Sequence, residues 1–371
     1  MSGPETLART PLHAEHERLG GRLVAFAGFE LPVQYGAGIV AEHRAVRQAA
    51  GVFDVSHMGE FEVRGPDALA LLQHVTTNDV ARLEIGQAQY TVLCDARGGA
   101  LDDCLLYRLE EHYMLVVNAA NRAKDHAWIT GHAGRFDADV ADRSDEIALI
   151  ALQGPAAQQI LAGLTDTELD GIGYYRSVRG EVAARGALIS RTGYTGEDGF
   201  ELYLDGRAAV HVWRAVLEAG EAVDALPAGL GARDSLRLEM GYILYGNDLD
   251  EAHTPLEAGL GWIVKLDKGE FIGRDPLLAQ KEAGIEQRLA GVRLVERGFP
   301  RAGYEIRIGD VTAGTLASGG YGPSVACGIG LGYVGAESSA PGTAVEIVIR
   351  GDAVPGVVVR PPFYTDGTLR R

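Results

Sequence analysis

A glycine-rich segment at residues 190–201 constrains the fold more than any other part of the chain. It carries three glycines and three acidic residues. Apolar residues alternate with other residues on either side of its centre, with Leu188 before it and Phe200, Leu202 and Leu204 after it. Because a period of two is typical of half-buried strands, we predict a tight turn between two strands here.

Two interpretations of this turn stay open. Glycine allows the backbone to approach a ligand closely, and a carboxylate such as Glu197 can accept two parallel hydrogen bonds from a flat heterocycle with adjacent N–H donors. Alternatively, the turn is a solvated hairpin tip, because turns collect Gly, Asp and Thr for conformational reasons alone. The segment by itself favours neither interpretation.

Composition restricts the class of protein. A chain of 371 residues that is 46% hydrophobic can bury a sizeable core in two or three domains. Its formal charge of −17 opposes nonspecific attraction to nucleic acid or to an anionic membrane, so neither is expected as a partner. The sequence has no secretory signal and no run of about 18 apolar residues, which favours a cytoplasmic protein. The three cysteines lack CxxC spacing, so we expect neither a metal site nor a disulfide framework.

The pattern of strands and helices predicts an α+β protein. The order of elements between residues 51 and 139 fits a ferredoxin-like unit, and residues 146–246 fit a second α/β unit. A short helix is expected over residues 276–283, with Asp275 as its N-cap. From about residue 289 onward, closely spaced strands rich in glycine and β-branched residues predict a small β-barrel or sandwich.

Two adjacent acids follow a Gly-Gly turn. Asp102 and Asp103 lie just inside a predicted strand, where successive side chains point to opposite faces, so only one of them can face the interior. A carboxylate among apolar residues is costly to bury unless a cation or a donor-rich group meets it. The inward acid is therefore a candidate for stabilising a positively charged species. The alternative is that both acids are solvated at the mouth of the turn.

Arg233 stands in the predicted first turn of a helix that begins after Pro227. A cation there opposes the helix dipole, and the position is explained if the guanidinium faces a carboxylate ligand. A solvated arginine that tolerates a small penalty is the alternative. Arg237 needs no ligand, because it can meet Asp234 three residues before it.

Three other patterns point away from familiar chemistry. Ser56 and His57 are neighbours on an extended segment, so their side chains diverge and a hydrolase pair is not expected. His13 and His16 have no third ligand nearby in the sequence and are interpreted as a solvated helix face. The GxGxxG match at residues 330–335 lies in the predicted all-β region, which argues against a dinucleotide site.

Five motifs extend along the chain in this order: Phe53-Asp-Val-Ser-His-Met-Gly-Glu60, Gly98-Gly-Ala-Leu-Asp-Asp103, Val117-Asn-Ala-Ala-Asn121, residues 190–201, and Gly229-Leu-Gly-Ala-Arg-Asp234. Together they closely resemble the aminomethyltransferase (T-protein) family of the glycine cleavage system. Residues 9–13, 26–30 and 360–364 look like the same family, so the resemblance covers essentially the whole chain.

The resemblance implies a three-lobed cloverleaf with tetrahydrofolate at its centre. In these terms, residues 1–280 form the folate-binding region and residues 285–371 form a C-terminal β-barrel. Within the first region, residues 51–139 make the ferredoxin-like lobe, and residues 1–50 together with residues 140–280 make the other α/β lobe.

The resemblance also implies a reaction. Members of the family transfer a one-carbon unit to tetrahydrofolate from an aminomethyl group on the lipoyl arm of a transiently bound H-protein. Ammonia and 5,10-methylenetetrahydrofolate are released. Asp103 would be the essential carboxylate, which orients the attacking folate nitrogen and stabilises an iminium-like carbon.

Folate-binding residues are implied position by position. Glu197 matches the acid that grips the pterin, and Arg233 matches an arginine that lines the folate site. Arg370 and Arg371 are expected near the folate tail. Four further positions fall on the pocket wall of the family, where ordinary packing is an alternative explanation: Met58, Tyr90, Asn118 and Tyr242.

Other members of the fold family differ in identifiable ways. One relative, which binds folate and supports iron–sulfur enzymes, carries Lys-Gly-Cys-Tyr-x-Gly-Gln-Glu where this chain has Lys268-Gly-Glu-Phe-Ile-Gly-Arg-Asp275. Sarcosine and dimethylglycine dehydrogenases add a flavin domain whose fingerprint this chain lacks. A noncatalytic folate-binding or regulatory module would keep Glu197 and Arg233 but would not need Asp103.

Overall fold

Helices and strands alternate through most of the chain, and strands dominate after the last long helix. The structure is a computed structural model and describes residues 6–370. A bilayer-spanning helix, which needs about 20 apolar residues, does not occur in this range. Its α-helices are α1 (His13–Arg18), α2 (Ile39–Gln48), α3 (Ala68–Val75), α4 (Arg122–Ala133), α5 (Ala157–Ala162), α6 (Ala209–Gly220), α7 (Leu230–Met240) and α8 (Arg274–Ala283).

The strands of the described range form a hairpin, two larger sheets and a barrel. In chain order they are β1 (Arg22–Phe26), β2 (Phe29–Gln34), β3 (Gly51–Asp54), β4 (Gly59–Arg64), β5 (Gln87–Cys94), β6 (Ala100–Arg108), β7 (Tyr113–Val117), β8 (Asp139–Asp142), β9 (Ile147–Gln153), β10 (Ser177–Val182), β11 (Arg185–Ser190), β12 (Gly199–Asp205), β13 (Leu226–Pro227), β14 (Gln287–Leu294), β15 (Glu305–Ile308), β16 (Val311–Gly322), β17 (Cys327–Gly335), β18 (Ala344–Ile349) and β19 (Asp352–Val359).

The first larger sheet, called here the ferredoxin-like sheet, has the strand order β5-β6-β7-β4-β8. The predicted β-α-β-β-α-β succession is found as β4-α3-β6-β7-α4-β8, and β5 extends the edge beside β6. Phe61, Leu106 and Ile129 are buried between this sheet and the helices α3 and α4. The opposite face packs through Tyr107 and Val116 against the second sheet.

The second sheet, called here the central sheet, has the order β10-β11-β12-β9-β3-β13. β3 lies in the segment predicted for the ferredoxin-like unit but pairs with β9 instead. All of its residues are buried, as expected for an inner strand of a covered sheet. The predicted turn between two strands is confirmed, because residues 191–198 connect β11 to β12.

Within the described residues, the strands after α8 close into a barrel with the order β14-β17-β16-β15-β18-β19, which confirms the predicted C-terminal β-barrel. Its interior is apolar, with Val292, Ile306 and Val358 buried. The GxGxxG match lies within β17 and is part of a barrel strand. Helix α8 begins at Arg274, one residue before the predicted N-cap, because Gly273 adopts the left-handed φ of +86° that turns the chain into the helix.

Lys268 caps the C-terminal end of α3. Its Nζ donates to the backbone carbonyls of Gln73, Thr76 and Asn78 at 2.8, 2.5 and 2.7 Å. The last carbonyls of a helix have no partner within the helix, so the ammonium supplies donors that α3 lacks. The segment that precedes α8 is thereby tied to the ferredoxin-like unit.

Candidate active site

The two sheets and the barrel enclose a central cavity of about 1340 Å³. Tyr90 and Asp103 line it from the ferredoxin-like sheet, Glu201 and Tyr203 from the central sheet, and Leu331 from the barrel. Pockets for drug-sized ligands usually measure about 300–1,000 Å³, so this cavity has room for a ligand of that size and more.

β6 carries two adjacent acids to opposite faces of the ferredoxin-like sheet. Asp103 lines the cavity, while Asp102 is fully buried on the face that α4 covers. The expectation that the two acids diverge is correct, and the alternative of two solvated acids at the turn is wrong. Strand alternation alone does not predict that the face of Asp102 is also buried, because helix α4 packs there only through the tertiary fold.

Two donors hold the Asp103 carboxylate. Tyr90 Oη donates to Oδ2 at 2.5 Å, and Asn118 Nδ2 donates to Oδ1 at 2.9 Å. Burial and the nearby charge of Asp102 raise the pKa of Asp103 to about 7. Its charge can therefore change near neutral pH, and a carboxylate held in such a site is well placed to stabilise a cation.

Glu201 brings a second carboxylate to the cavity. Thr192 Oγ1 donates to its Oε2 at 2.6 Å. Burial raises the pKa of Glu201, while the Thr192 hydrogen bond and the charge of Arg233 act in the opposite direction. Strand phase explains the orientation, because Phe200 and Leu202 face the core beneath α6 and Glu201 lies between them on β12.

Arg233 lines the cavity from the first turn of α7. Its guanidinium lies over the ring of Tyr194, 4.8 Å from the ring centre. Burial lowers the pKa of Arg233, which is the expected direction for a cation removed from water. The interpretation of Arg237 is confirmed, since its Nε donates to Asp234 Oδ1 at 2.8 Å.

Glu197, which the resemblance implies as the acid that grips the pterin, is not among the described residues that line the cavity. Its Oε1 accepts a hydrogen bond from Arg47 Nη1 at 2.8 Å. Its Oε2 accepts hydrogen bonds from the backbone N and the Oγ1 of Thr368, at 2.9 and 2.7 Å. The carboxylate thus joins α2 to the C-terminal segment, and of the two acids the geometry favours Glu201 as the one available to a ligand. The period-two pattern of β12 was the signal in the sequence that distinguishes them.

The other predicted positions come together in one place, apart from Arg370 and Arg371. The side chain of Arg370 and all of Arg371 lie outside the described residues. The rings of Tyr194 and Tyr242 stack with their centres 5.7 Å apart, so they form a flat aromatic wall. The predicted positions that line the cavity are Met58, Tyr90, Asp103, Asn118, Arg233 and Tyr242.

Ser56 and His57 do not pair with each other, as expected, whereas His13 and His16 differ from the expectation. Ser56 Oγ pairs with the backbone of a neighbouring strand, while His57 lines the cavity, and burial lowers the pKa of His57 to about 4. His13 and His16 are buried and not part of a solvated helix face, because His16 Nε2 lies 2.9 Å from Asp54 Oδ2 beneath the central sheet. Among residues 6–370, no group of side chains is arranged to hold a metal ion.

Two family descriptions match the chain. The GCVT N-terminal domain matches residues 12–268, and the glycine cleavage T-protein C-terminal barrel domain matches residues 287–365. Together they extend from α1 through the last barrel strand, apart from residues 269–286, which include α8. The arrangement of two α/β sheets and a closed barrel is therefore the arrangement of a known family.

Curated relatives and a solved structure agree with this assignment. The aminomethyltransferase of Symbiobacterium thermophilum is 50% identical over 97% of this chain and 98% of its own length. That of Halothermothrix orenii is 49% identical over 96% of this chain and 100% of its own length. The crystal structure of glycine cleavage system aminomethyltransferase T from Bartonella henselae is 35% identical, with a TM-score of 0.92 over 98% of this chain and 99% of that one. The chain belongs to the glycine cleavage T-protein family and is an aminomethyltransferase of the glycine cleavage system.

Proposed function

We propose that the central cavity binds tetrahydrofolate and that the enzyme passes to it the one-carbon unit of an aminomethyl group carried on the lipoyl arm of an H-protein. The two folate nitrogens, N5 and N10, each form a bond to the carbon. The C–S and C–N bonds of the donor break, and the two N–H hydrogens leave with them, which gives a free thiol, ammonia and 5,10-methylenetetrahydrofolate. The observation that carries the proposal is the position of Asp103 on the cavity wall, held by Tyr90 and Asn118.

Asp103 is the proposed catalytic residue. Carbon–sulfur or carbon–nitrogen cleavage in the donor leaves positive charge on the transferred carbon, and an ionised carboxylate nearby lowers the energy of that state. The Tyr90 and Asn118 donors fix both carboxylate oxygens, so the charge is oriented before the substrate arrives. The same carboxylate can accept a proton from the attacking folate nitrogen.

Glu201 and Arg233 are the proposed groups that fix the folate. Glu201 is a carboxylate on the cavity wall, and such a group accepts parallel hydrogen bonds from the ring N–H and amino groups of a pterin. Arg233 neutralises part of the charge of Glu201, because its guanidinium faces the same cavity. The stacked rings of Tyr194 and Tyr242 offer an apolar wall of the kind that flat ligands contact.

A pair of glutamine substitutions tests the choice between the two glutamates. Calorimetric titration with tetrahydrofolate should show that Glu201→Gln weakens binding roughly 10- to 100-fold, the value of one or two charge-assisted hydrogen bonds. Glu197→Gln should leave the affinity within about twofold, because that side chain is hydrogen-bonded to Arg47 and Thr368 and is not among the described residues that line the cavity. A loss of affinity in Glu197→Gln alone would show that Glu197, and not Glu201, contacts the pterin.

The noncatalytic folate-binding module considered from the sequence is not supported. The chain belongs to a family whose curated members are aminomethyltransferases. Such a module would also leave the two hydrogen bonds that hold the Asp103 carboxylate without a function.

A further inference from the structure

A second buried carboxyl group lies behind the cavity wall. Asp125 stands in the first turn of α4, and its side chain is fully buried. In the described part of the chain, neither of its oxygens meets a hydrogen-bond donor. Asp125 nevertheless lies against Asp102, another carboxyl group, so two acids share one dry compartment beneath the ferredoxin-like sheet.

Two carboxylates cannot hydrogen-bond to each other, since both only accept. A proton on one of them turns it into a donor and removes one of the two buried charges. Asp102 already accepts hydrogen bonds from Asn118 N at 3.1 Å, Asn118 Nδ2 at 2.8 Å and Asn121 Nδ2 at 2.7 Å. Asp102 is therefore provided with donors as an anion, and Asp125 is the member of the pair that carries the proton.

The surroundings of Asp125 agree with this division. Lys124 on α4 is the nearby cation, and its Nζ donates to the Leu101 carbonyl at 2.7 Å and lies 3.3 Å from Glu251. From β6, Asp103 adds a further negative charge. Burial, the contact with Asp102 and its charge raise the pKa of Asp125 to about 10.

The other titratable groups around the compartment do not change this picture. Burial raises the pKa of Cys104 on β6 and of Tyr90 on β5, and both are neutral near pH 7. Burial also raises the pKa of Tyr245, whose hydroxyl donates to the Ala100 carbonyl. Asp102 is thus the acceptor to which a protonated Asp125 donates its hydrogen bond.

A hydrogen-bonded path joins this pair to the cavity. Asn118 Nδ2 lies 2.8 Å from Asp102 Oδ1 and 2.9 Å from Asp103 Oδ1, so one amide group bridges the two faces of β6. A change in the charge of Asp102 therefore changes the electrostatic potential at Asp103. The charge of Asp102 is one of the causes that raise the pKa of Asp103.

We propose that Asp125 is a neutral carboxylic acid in the working enzyme, that it donates a hydrogen bond to Asp102, and that it thereby keeps Asp102 ionised and sets the charge state of Asp103 across Asn118. Asp125 is in this account a positioning residue, which touches neither substrate. The inference deepens the proposed function, since it concerns the regulation of the proposed catalytic acid.

Infrared spectroscopy tests the protonation without any substrate. At about pH 8 an ordinary aspartate is ionised. Within the described residues, Glu60 is also buried without a hydrogen-bond donor, and burial raises its pKa, so it contributes a protonated carboxyl band to both proteins. The expected result is therefore a protonated carboxyl band in the difference spectrum of native enzyme minus Asp125→Asn. A difference spectrum without such a band would overturn the proposal. Because no folate or carrier is present, this outcome is independent of the proposed reaction.

The pH dependence of kcat/KM tests the effect on Asp103. Asp125→Asn keeps a neutral donor toward Asp102 and should keep the native acid limb. Asp125→Ala removes the donor, so Asp102 takes up the proton itself, and the limb should move down by about one pH unit. The ratio of kcat/KM at about pH 6 to that at about pH 8 then rises about fivefold.

An acid limb that stays unchanged in the alanine variant, or that moves equally in both variants, would contradict the link to Asp103. If Asp125→Ala does not fold, the infrared measurement alone tests whether Asp125 is protonated.

Discussion

Replacement of Glu197 by alanine should destabilise the protein by releasing its C-terminal segment. The carboxylate accepts one hydrogen bond from Arg47 and two from Thr368. The backbone N of Leu369 also bonds the Gly196 carbonyl beside it. The glutamate therefore connects α2, the turn between β11 and β12, and residues 363–370.

The size of the effect follows from what remains after the substitution. Removal of one partner of a buried ion pair costs about 3–5 kcal/mol, because a charge is left without its partner. Arg47 is 5% exposed but keeps a second carboxylate, Glu239, at 2.9 Å and the Thr195 carbonyl at 2.7 Å. We therefore expect the lower end of the range, about 3 kcal/mol, most of it from Arg47 and the two Thr368 donors.

Urea unfolding gives the stability change, and hydrogen exchange followed by mass spectrometry locates it. Exchange should accelerate in residues 363–370 of Glu197→Ala. The matched control is Glu218→Ala, which removes an exposed glutamate from α6 and should change stability by less than about 0.5 kcal/mol. A loss below about 1 kcal/mol for Glu197→Ala, or unchanged exchange in the C-terminal segment, would refute the reasoning.

Three further predictions concern stability and pH. Lys268→Met should lower the urea-unfolding free energy by about 2–4 kcal/mol, because three carbonyls around the end of α3 lose their donor; a change below about 1 kcal/mol would contradict the role of the lysine. Gly99→Ala should cost about 1–3 kcal/mol in the same assay, because an added Cβ would lie 2.2 Å from the Glu251 carbonyl oxygen, whereas Gly186→Ala, which meets nothing within 4 Å, serves as the control. Since the pKa of Asp103 is raised to about 7, the acid is protonated below that pH and ionised above it. The kcat/KM of the native enzyme should therefore rise with pH through about 7, and a flat profile between about pH 6 and 8 would contradict a catalytic carboxylate.

Local patterns in the sequence were sufficient for most of the fold. The period of two around residues 190–201 predicted the turn between β11 and β12, and the order of elements predicted the ferredoxin-like unit. These features depend on neighbours in the chain. The pairing of β3 with β9 joins residues about one hundred positions apart, and no local pattern encodes it.

The candidate site likewise combines features that local sequence predicts with features that depend on the tertiary fold. Side-chain alternation separated Asp102 from Asp103, but only the packing of α4 shows that Asp102 is buried beside Asp125. Resemblance selected Glu197, whereas strand phase would have selected Glu201. The partners of Glu197, Arg47 and Thr368, lie 150 and 171 positions away and cannot be found from local sequence.

The most direct test of the account measures the release of ammonia and 5,10-methylenetetrahydrofolate from an aminomethyl-lipoyl H-protein. The native enzyme, Asp103→Asn and the surface control Asp166→Asn are compared under identical conditions, and tetrahydrofolate binding is measured in parallel. The account predicts turnover that requires tetrahydrofolate, a fall of at least about 100-fold in Asp103→Asn with binding retained, and no change in Asp166→Asn. Folate binding without turnover by the native chain, or full activity in Asp103→Asn, would contradict it.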